Sequence, residues 1–336
     1  MELSISFIIP VFNRPNEIHE LLQSFTNLRS SSPYEIVIVE DGSSITCKEI
    51  VVKFSSELNI RYLFKENSGP GDSRNFGMNQ AKGNYFIILD SDCILPPDYL
   101  EAVLESLNTS YTDCFGGPDS AHSSFSNLQK AINFSMTSFI TTGGIRGRKK
   151  SVQRFEPRSF NMGISKKAFI KSGGFGNIHP GEDPDLSIRL KKLGYKTKLI
   201  PEAFVYHKRR ISLPKFYSQV YKFGLVRPIL NNWHPASRKI SFWFPFLFSL
   251  GLVLSISAFL IGFSQFLWLF VGYFFMVFVV SLIKNKSIIV ALISIITTIL
   301  QFLGYGFGFI ISTLNINIFN RKPEVIYPFL FFKIND

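Results

Sequence analysis

The chain has 336 residues, a formal net charge of +12 and 46% hydrophobic residues. All but two of its 24 acidic residues precede position 240, and Lys284 and Lys286 are the only charged groups between 240 and 320, which excludes a single water-soluble globule. The positive excess does not imply a nucleic-acid partner, because no nucleic-acid motif accompanies it and a basic cluster beside anionic lipid accounts for it.

Ser4 to Val11 reads as a first buried strand. The stretch is apolar but has no basic leader, contains Pro10 and runs into Asn13-Arg14-Pro15, so a strand is expected there and not a signal peptide. Asn16 to Leu28 predicts a helix, with Ile18, Leu21, Leu22 and Phe25 at helical spacing. Glu35 to Val39 is a second strand ending in the acidic turn Glu40-Asp41-Gly42-Ser43-Ser44. Ile60 to Phe64 is a third, followed by Gly69-Pro70-Gly71 and a helix through Arg74, Met78 and Ala81. Tyr85 to Leu89 closes the series, and the alternation predicts an α/β, Rossmann-like domain built on a mainly parallel, doubly wound sheet.

The last of these strands delivers Asp90-Ser91-Asp92 to the sheet's carboxyl edge, where open α/β sheets bind ligands. Two acids separated by one residue present oxygen to a hard divalent cation. Mg²⁺ or Mn²⁺ held in this way also grips phosphates, which points to metal-assisted group transfer from a nucleotide diphosphate conjugate. A second acidic run, Glu182-Asp183-Pro184-Asp185, is expected to open a helix, with Pro184 at an early position and Leu186, Ile188, Leu190 and Leu193 after it. Cys47, Cys93 and Cys114 have neither metal-ligand spacing nor an even count and read as reduced thiols. Arg146, Arg148, Lys149, Lys150, Arg154 and Arg158 form a basic stretch, read equally as a lid, an anionic-acceptor contact or a solvated loop.

Three apolar segments follow, at about 240–262, 265–283 and 287–313, each near the roughly 20 residues that cross a bilayer as helix. The organisation expected is a catalytic domain over 1–235, a membrane region over 236–320 with two to three transmembrane helices, and a tail over 321–336. Lys208, Arg209, Arg210, Lys215, Lys222, Arg227, Arg238 and Lys239 have no acid among them, so the positive-inside rule places this flank and the catalytic domain at the cytoplasmic face of the inner membrane. Two crossings return Lys284 and Lys286 to that side. A third would place Arg321 and Lys322 outside, unless the last segment is re-entrant or the first lies in the interface.

Taken in order, Ile8-Ile9-Pro10-Val11-Phe12-Asn13-Arg14, Ile36 to Ser43, Gly69 to Asn75, Asp90-Ser91-Asp92 and Gly181 to Leu186 resemble the motif set of family 2 glycosyltransferases with the GT-A fold, over residues 4 to 225. The resemblance implies inverting transfer from a UDP or GDP sugar to a hydroxyl of a glycan or lipid-linked acceptor, in cell-surface polysaccharide synthesis. It implies nucleotide contacts from Pro10, Asn13, Asp41 and Arg74, with Glu40 replacing the Asp more usual in that turn. Asp92 would be the direct metal ligand, and Asp90 would contact ribose or reach the metal through water. Asp183 matches the general base, and Glu182 would orient the acceptor or the base. Asn161, in Phe160-Asn161-Met162-Gly163, would bind sugar hydroxyls, and Gly116 to Asp119 would line the donor sugar. His207 matches a histidine that some members use on the metal or diphosphate, although such a residue is often structural, and His179 is an acceptor-side candidate.

Other readings are transfer to polyprenyl phosphate, a processive synthase and a non-catalytic nucleotide-sugar binder. Processive members carry Gln-x-x-Arg-Trp, whereas Gln219-Val220-Tyr221-Lys222-Phe223 stands here. A phosphate acceptor has no hydroxyl proton for Asp183 to remove, and a binder has little need of a base.

Overall fold

The computed structural model describes residues 3–120, 125–143, 155–207 and 212–332. Arg146, Arg148, Lys149, Lys150 and Arg154, and Lys208 to Arg210, lie outside the described residues. The chain begins β1 (Ile5–Val11), α1 (Pro15–Thr26), β2 (Tyr34–Asp41), α2 (Lys48–Phe54), β3 (Ile60–Lys65), α3 (Pro70–Gln80) and β4 (Tyr85–Leu89). It continues with β5 (Cys93–Ile94), α4 (Tyr99–Thr109), β6 (Cys114–Gly116), β7 (Asp119–Ser120), α5 (Asn127–Thr137) and α6 (Phe139–Thr142). Then come β8 (Asn161–Ser165), α7 (Lys166–Ser172), α8 (Glu182–Lys192), β9 (Thr197–Leu199) and β10 (Val205–His207). The last long elements are α9 (Leu213–Trp233), α10 (Phe244–Leu260), α11 (Gln265–Asn285) and α12 (Ile288–Thr313). Two compact units result, one from 3–120, 155–207 and 331–332, the other from 125–143 and 212–330.

The first unit is built on a seven-stranded sheet of order β3-β2-β1-β4-β8-β6-β9. Strands β1 to β4 are parallel, as the sequence pattern predicts, while β8 runs antiparallel between β4 and β6. Every residue of β1 is buried, because both faces of the sheet are covered and a continuous apolar run suits neither face to water. Phe7 and Ile9 face a core shared with α1 and α4. Ile8 and Ile88 face the opposite core, closed by Met78 of α3 and by Leu186 and Leu190 of α8. A small sheet of order β5-β10-β7 sets His207 opposite Cys93 in antiparallel register.

Phe331 forms an antiparallel bridge with Ile178, so the chain rejoins this unit after the whole of the second one.

In the second unit, three helical segments among the described residues are long and apolar enough to cross a membrane: Ile240–Leu260, Gln265–Asn285 and Ile288–Ile318. The first two have 11% of their most apolar window buried and the third 39%, so α12 is the helix held by protein. Glycine makes that packing possible. A Cβ on Gly308 would stand 2.9 Å from the backbone nitrogen of Leu225, one on Gly224 would stand 2.8 Å from that of Phe309, and one on Gly304 would press on Val220. Small residues four apart allow two helix backbones this close an approach. Hydroxyls supply further ties: Ser135 to Thr297 at 2.6 Å, Ser281 to Ser294 at 2.8 Å, and Ser312 donating to the Leu225 carbonyl at 2.7 Å. Gly224→Leu is expected to cost about 1–3 kcal/mol by overpacking the α9–α12 contact. Gly272→Leu should be neutral, since a Cβ there meets nothing within 4 Å. Thermal unfolding of the two variants in one detergent checks the contrast.

Candidate active site

The site forms where the carboxyl ends of β1, β2 and β4 meet the start of α3, the start of α8 and the end of β10. Arg74, on the first turns of α3, is buried and forks between two acids. Its Nη2 donates to Asp90 Oδ1 at 2.8 Å and its Nη1 to Glu182 Oε1 at 3.1 Å, while the guanidinium lies 5.3 Å from the Phe175 ring centre. This fork joins the sheet edge to the helix that carries the second acidic run.

Glu182 also meets His179 Nδ1 at 2.8 Å and accepts from the Gly181 amide at 2.8 Å. Burial alone would raise its carboxyl, but His179 and Arg74 outweigh burial and hold it down at about 2. Glu182 is therefore an ionised structural partner of Arg74. Asp183, half-buried beside it, has a buried Oδ1 that takes no hydrogen bond. Burial first, then the Glu182 charge, push the Asp183 carboxyl up to about 6, against the pull of Arg74 and Arg158. A carboxylate poised near neutrality is what proton abstraction requires.

On the other side of Asp90, Asp92 pairs with Arg14. Asp92 Oδ1 is buried and lies 3.1 Å from His207 Nε2. Burial would raise Asp92, yet His207 and Arg14 hold it well below the usual carboxylate range. His207 is also 3.9 Å from Asp90 Oδ2 and from Asp119 Oδ2, and its ring stacks on Phe160 at 4.9 Å.

The donor set fits a divalent cation. Two adjacent ligands about 2.1 Å from one octahedral ion stand about 3 Å apart, which the Asp92–His207 separation matches. An imidazole in the set suits Mn²⁺ better than a purely oxygen-seeking ion. Cys93 lies in the same cluster, but its Sγ donates to the Phe160 carbonyl at 3.4 Å and burial pushes the thiol well up, so a hard cation there is better served by the carboxylate oxygen and the imidazole nitrogen.

The nucleotide-side residues are placed less uniformly. Asp41 is buried and organises the loop before α3, accepting from Lys65 Nζ at 3.1 Å and from the Ser68 and Gly69 amides at 3.0 Å each. Its oxygens are spent on that loop, so a base or ribose would share them. Asn13 is exposed, and its Oδ1 accepts from the Ile45 amide at 2.9 Å. Pro10 and Asn161 lie deeper in the fold. Pro10 is buried within β1, paired with Val39, and has no polar side chain, so a nucleotide contact from it would be through the ring or the backbone carbonyl. Asn161 is fully buried, accepting from Tyr99 Oη at 2.6 Å and donating to the Ala203 carbonyl at 2.7 Å, which leaves its amide with a framework role.

Arg14 and Glu40 were not singled out for these roles. Arg14 follows β1 by three residues at the edge where Asp92 emerges, and that position is the signal for it. Glu40 is fully buried, accepting from the Cys47 amide at 2.8 Å and Tyr62 Oη at 3.2 Å, so it builds the turn after β2.

The family profile described as "Glycosyl transferase family 2" matches residues 6–173, half of the chain. A chondroitin synthase from Escherichia coli is 28% identical over 235 residues, covering 60% of this chain and 34% of that protein. The succinoglycan biosynthesis protein ExoA from Rhizobium meliloti is 26% identical over 233 residues, covering 66% of this chain and 68% of the relative. Among solved structures, the mannosyltransferase PcManGT from Pyrobaculum calidifontis, in complex with GDP-Man and Mn²⁺, aligns with a TM-score of 0.50 at 15% identity. That alignment covers 67% of this chain and 63% of the mannosyltransferase, and it shows the shared fold.

Asp92→Ala and His207→Ala are each expected to weaken Mn²⁺ binding by about tenfold or more, the scale on which supporting contacts act. Cys93→Ala should leave it unchanged. Titration of Mn²⁺ by electron paramagnetic resonance, with UDP or GDP present, distinguishes the three.

Proposed function

The chain belongs to glycosyl transferase family 2, and from that premise we propose that it moves a sugar from a nucleoside diphosphate sugar to a hydroxyl acceptor, with inversion, at a membrane surface. The carrying observation is Asp183, a carboxylate raised to about 6 and tied through Glu182, Arg74 and Asp90 to the Asp92–His207 pair. In this reading the acceptor oxygen attacks the anomeric carbon as the bond from that carbon to the diphosphate oxygen breaks. Asp183 takes the hydroxyl proton, and the nucleoside diphosphate leaves with the bonding electrons. A Mn²⁺ or Mg²⁺ held by Asp92 and His207 would supply positive charge for the departing diphosphate.

Arg74 and Glu182 keep the base and the phosphate side in register, and Arg14 keeps Asp92 ionised. Transfer to a hydroxyl is favoured over transfer to polyprenyl phosphate because a raised carboxylate beside the cleft has a proton to take only from the former. The two relatives named for chondroitin and succinoglycan support a polysaccharide precursor as the product.

We also infer two membrane crossings. Helices α10 and α11 are joined by four residues and have outward apolar surfaces, with Lys284 and Lys286 at the return. Phe331 rejoins the catalytic unit, so the chain ends this region on the side where it began, which requires an even number of crossings. Helix α12 is then the one that stays at the interface, held against α5 and α9. Under the positive-inside rule that side, with Arg321 and Lys322, is the cytoplasm of the bacterial-type inner membrane.

Asp183→Asn is expected to lower hydroxyl transfer by about 10²–10⁴-fold, read as acceptor-dependent release of UDP or GDP over a panel of nucleotide sugars. Because the base must be ionised, kcat/KM should rise with pH through about 6 and level above it. Glu182→Gln, which removes the neighbouring negative charge, should move that limb to lower pH. For the crossings, cysteines placed at Ser264 and Arg321 should react with a membrane-impermeant maleimide from opposite faces of sealed vesicles. Labelling of both from one face would refute the two-crossing arrangement.

A further inference from the structure

The last two described residues, Phe331 and Phe332, lie in the catalytic unit, although residues 212–330 before them belong to the other. Their contacts are specific. Phe331 bridges antiparallel to Ile178, which is buried, and the Phe332 amide donates to the Asn177 carbonyl at 3.0 Å. The Phe332 ring centre is 6.1 Å from that of His179, and a Cβ on Gly69 would drive into the Phe332 ring. Gly69 belongs to the loop organised by Asp41 on the nucleotide side. His179 leads directly into Glu182 and Asp183. One aromatic ring is thus wedged between the two halves of the cleft.

We propose that Phe331–Phe332 is a strap on Asn177–His179, with Phe332 a positioning residue that holds the Glu182–Asp183 segment for transfer. This deepens the transferase reading and rests on it. The physical logic is a short β-augmentation within one chain: backbone pairing fixes register, and the ring fills the gap that glycine leaves at position 69. The end of the membrane segment thereby becomes part of the catalytic apparatus. Phe332 acts through His179 and Glu182, not on the reacting atoms.

The docking is tested without reference to activity. The bridge joins Ile178 and Phe331 as a non-hydrogen-bonded antiparallel pair, whose Cα atoms stand about 4.5 Å apart, within disulfide reach. In the full chain in lipid nanodiscs, Ile178→Cys/Phe331→Cys should cross-link under mild oxidant, identified by mass spectrometry of the joined peptides. Failure to cross-link overturns the strap.

The positioning role is tested separately. Phe332→Ala should lower kcat for transfer by about tenfold or more with donor KM held within about threefold, and Phe332→Tyr should restore kcat. Affinity for UDP or GDP with Mn²⁺, held near the wild-type value in Phe332→Ala, confirms that the variant is folded. Wild-type kcat in Phe332→Ala, or a loss confined to KM, overturns the positioning role. If the wild-type protein transfers to no hydroxyl acceptor, the transferase reading and the positioning role fall together, while the cross-link still decides the docking.

Discussion

The catalytic unit depends on how a buried guanidinium is satisfied. Taking Arg74 out of water costs several kcal/mol unless its charge is met, and two carboxylates meet its two Nη groups, Asp90 just past β4 and Glu182 from α8, while Nε takes no hydrogen bond. Those residues are far apart in sequence, so the ion bridge fixes the distance between the sheet edge and the acidic helix. Removing one partner would leave charge buried and uncompensated, which is more damaging than never having had the pair. In the proposed reaction the same bridge decides which acid of the Glu182–Asp183 pair is left to take a proton. Glu182 is consumed by Arg74 and His179, and its charge adds to burial in pushing Asp183 upward.

The first four strands, α1 and α3 were legible in the sequence because their signals are local. Continuous apolar runs mark strands buried on both faces, and Asp41 and Asp90 stand at the ends of two such runs. Asp92 was legible for the same reason. Its partner was less so. His207 reaches Asp92 because β10 pairs with β5 in one register, a non-local pairing that leaves no mark around Phe204 to His207. Asn161 shows a different case. The resemblance implied a sugar contact, and Tyr99 and Ala203, distant in sequence, take up the amide inside the core, as buried polar groups require.

The membrane unit was legible in composition and not in arrangement. An apolar window does not distinguish a helix facing lipid from one facing protein, since both exclude charge. What separates α12 from α10 and α11 is a face of small and hydroxyl residues: Ser294, Thr297, Thr298, Gly304, Gly308 and Ser312. In a helix that met only lipid these would gain nothing. Here they let α9 approach at backbone distance, and each hydroxyl ends on a partner within the unit. The return of Phe331 to the catalytic unit had no sequence signal, because a two-residue bridge is below the length at which any strand pattern can be read.

Charge balance links the two halves of the cleft. Asp90, Asp92, Glu182 and Asp183 face Arg14, Arg74 and Arg158, so carboxylates outnumber guanidiniums before a diphosphate arrives. Two like charges 4 Å apart repel by about 4 kcal/mol at an effective dielectric near 20, and a diphosphate adds further negative charge to the same region. Neutralisation can come from a proton or from a cation. Protons are scarce at neutral pH, although burial and the Glu182 charge raise Asp183 to about 6. A divalent ion at Asp92 and His207 can do so without protonating the base, which leaves Asp183 free to accept the acceptor's proton. In the proposed reaction the excess of carboxylates therefore has two consequences: with burial it makes Asp183 basic, and it would favour nucleotide binding together with added positive charge.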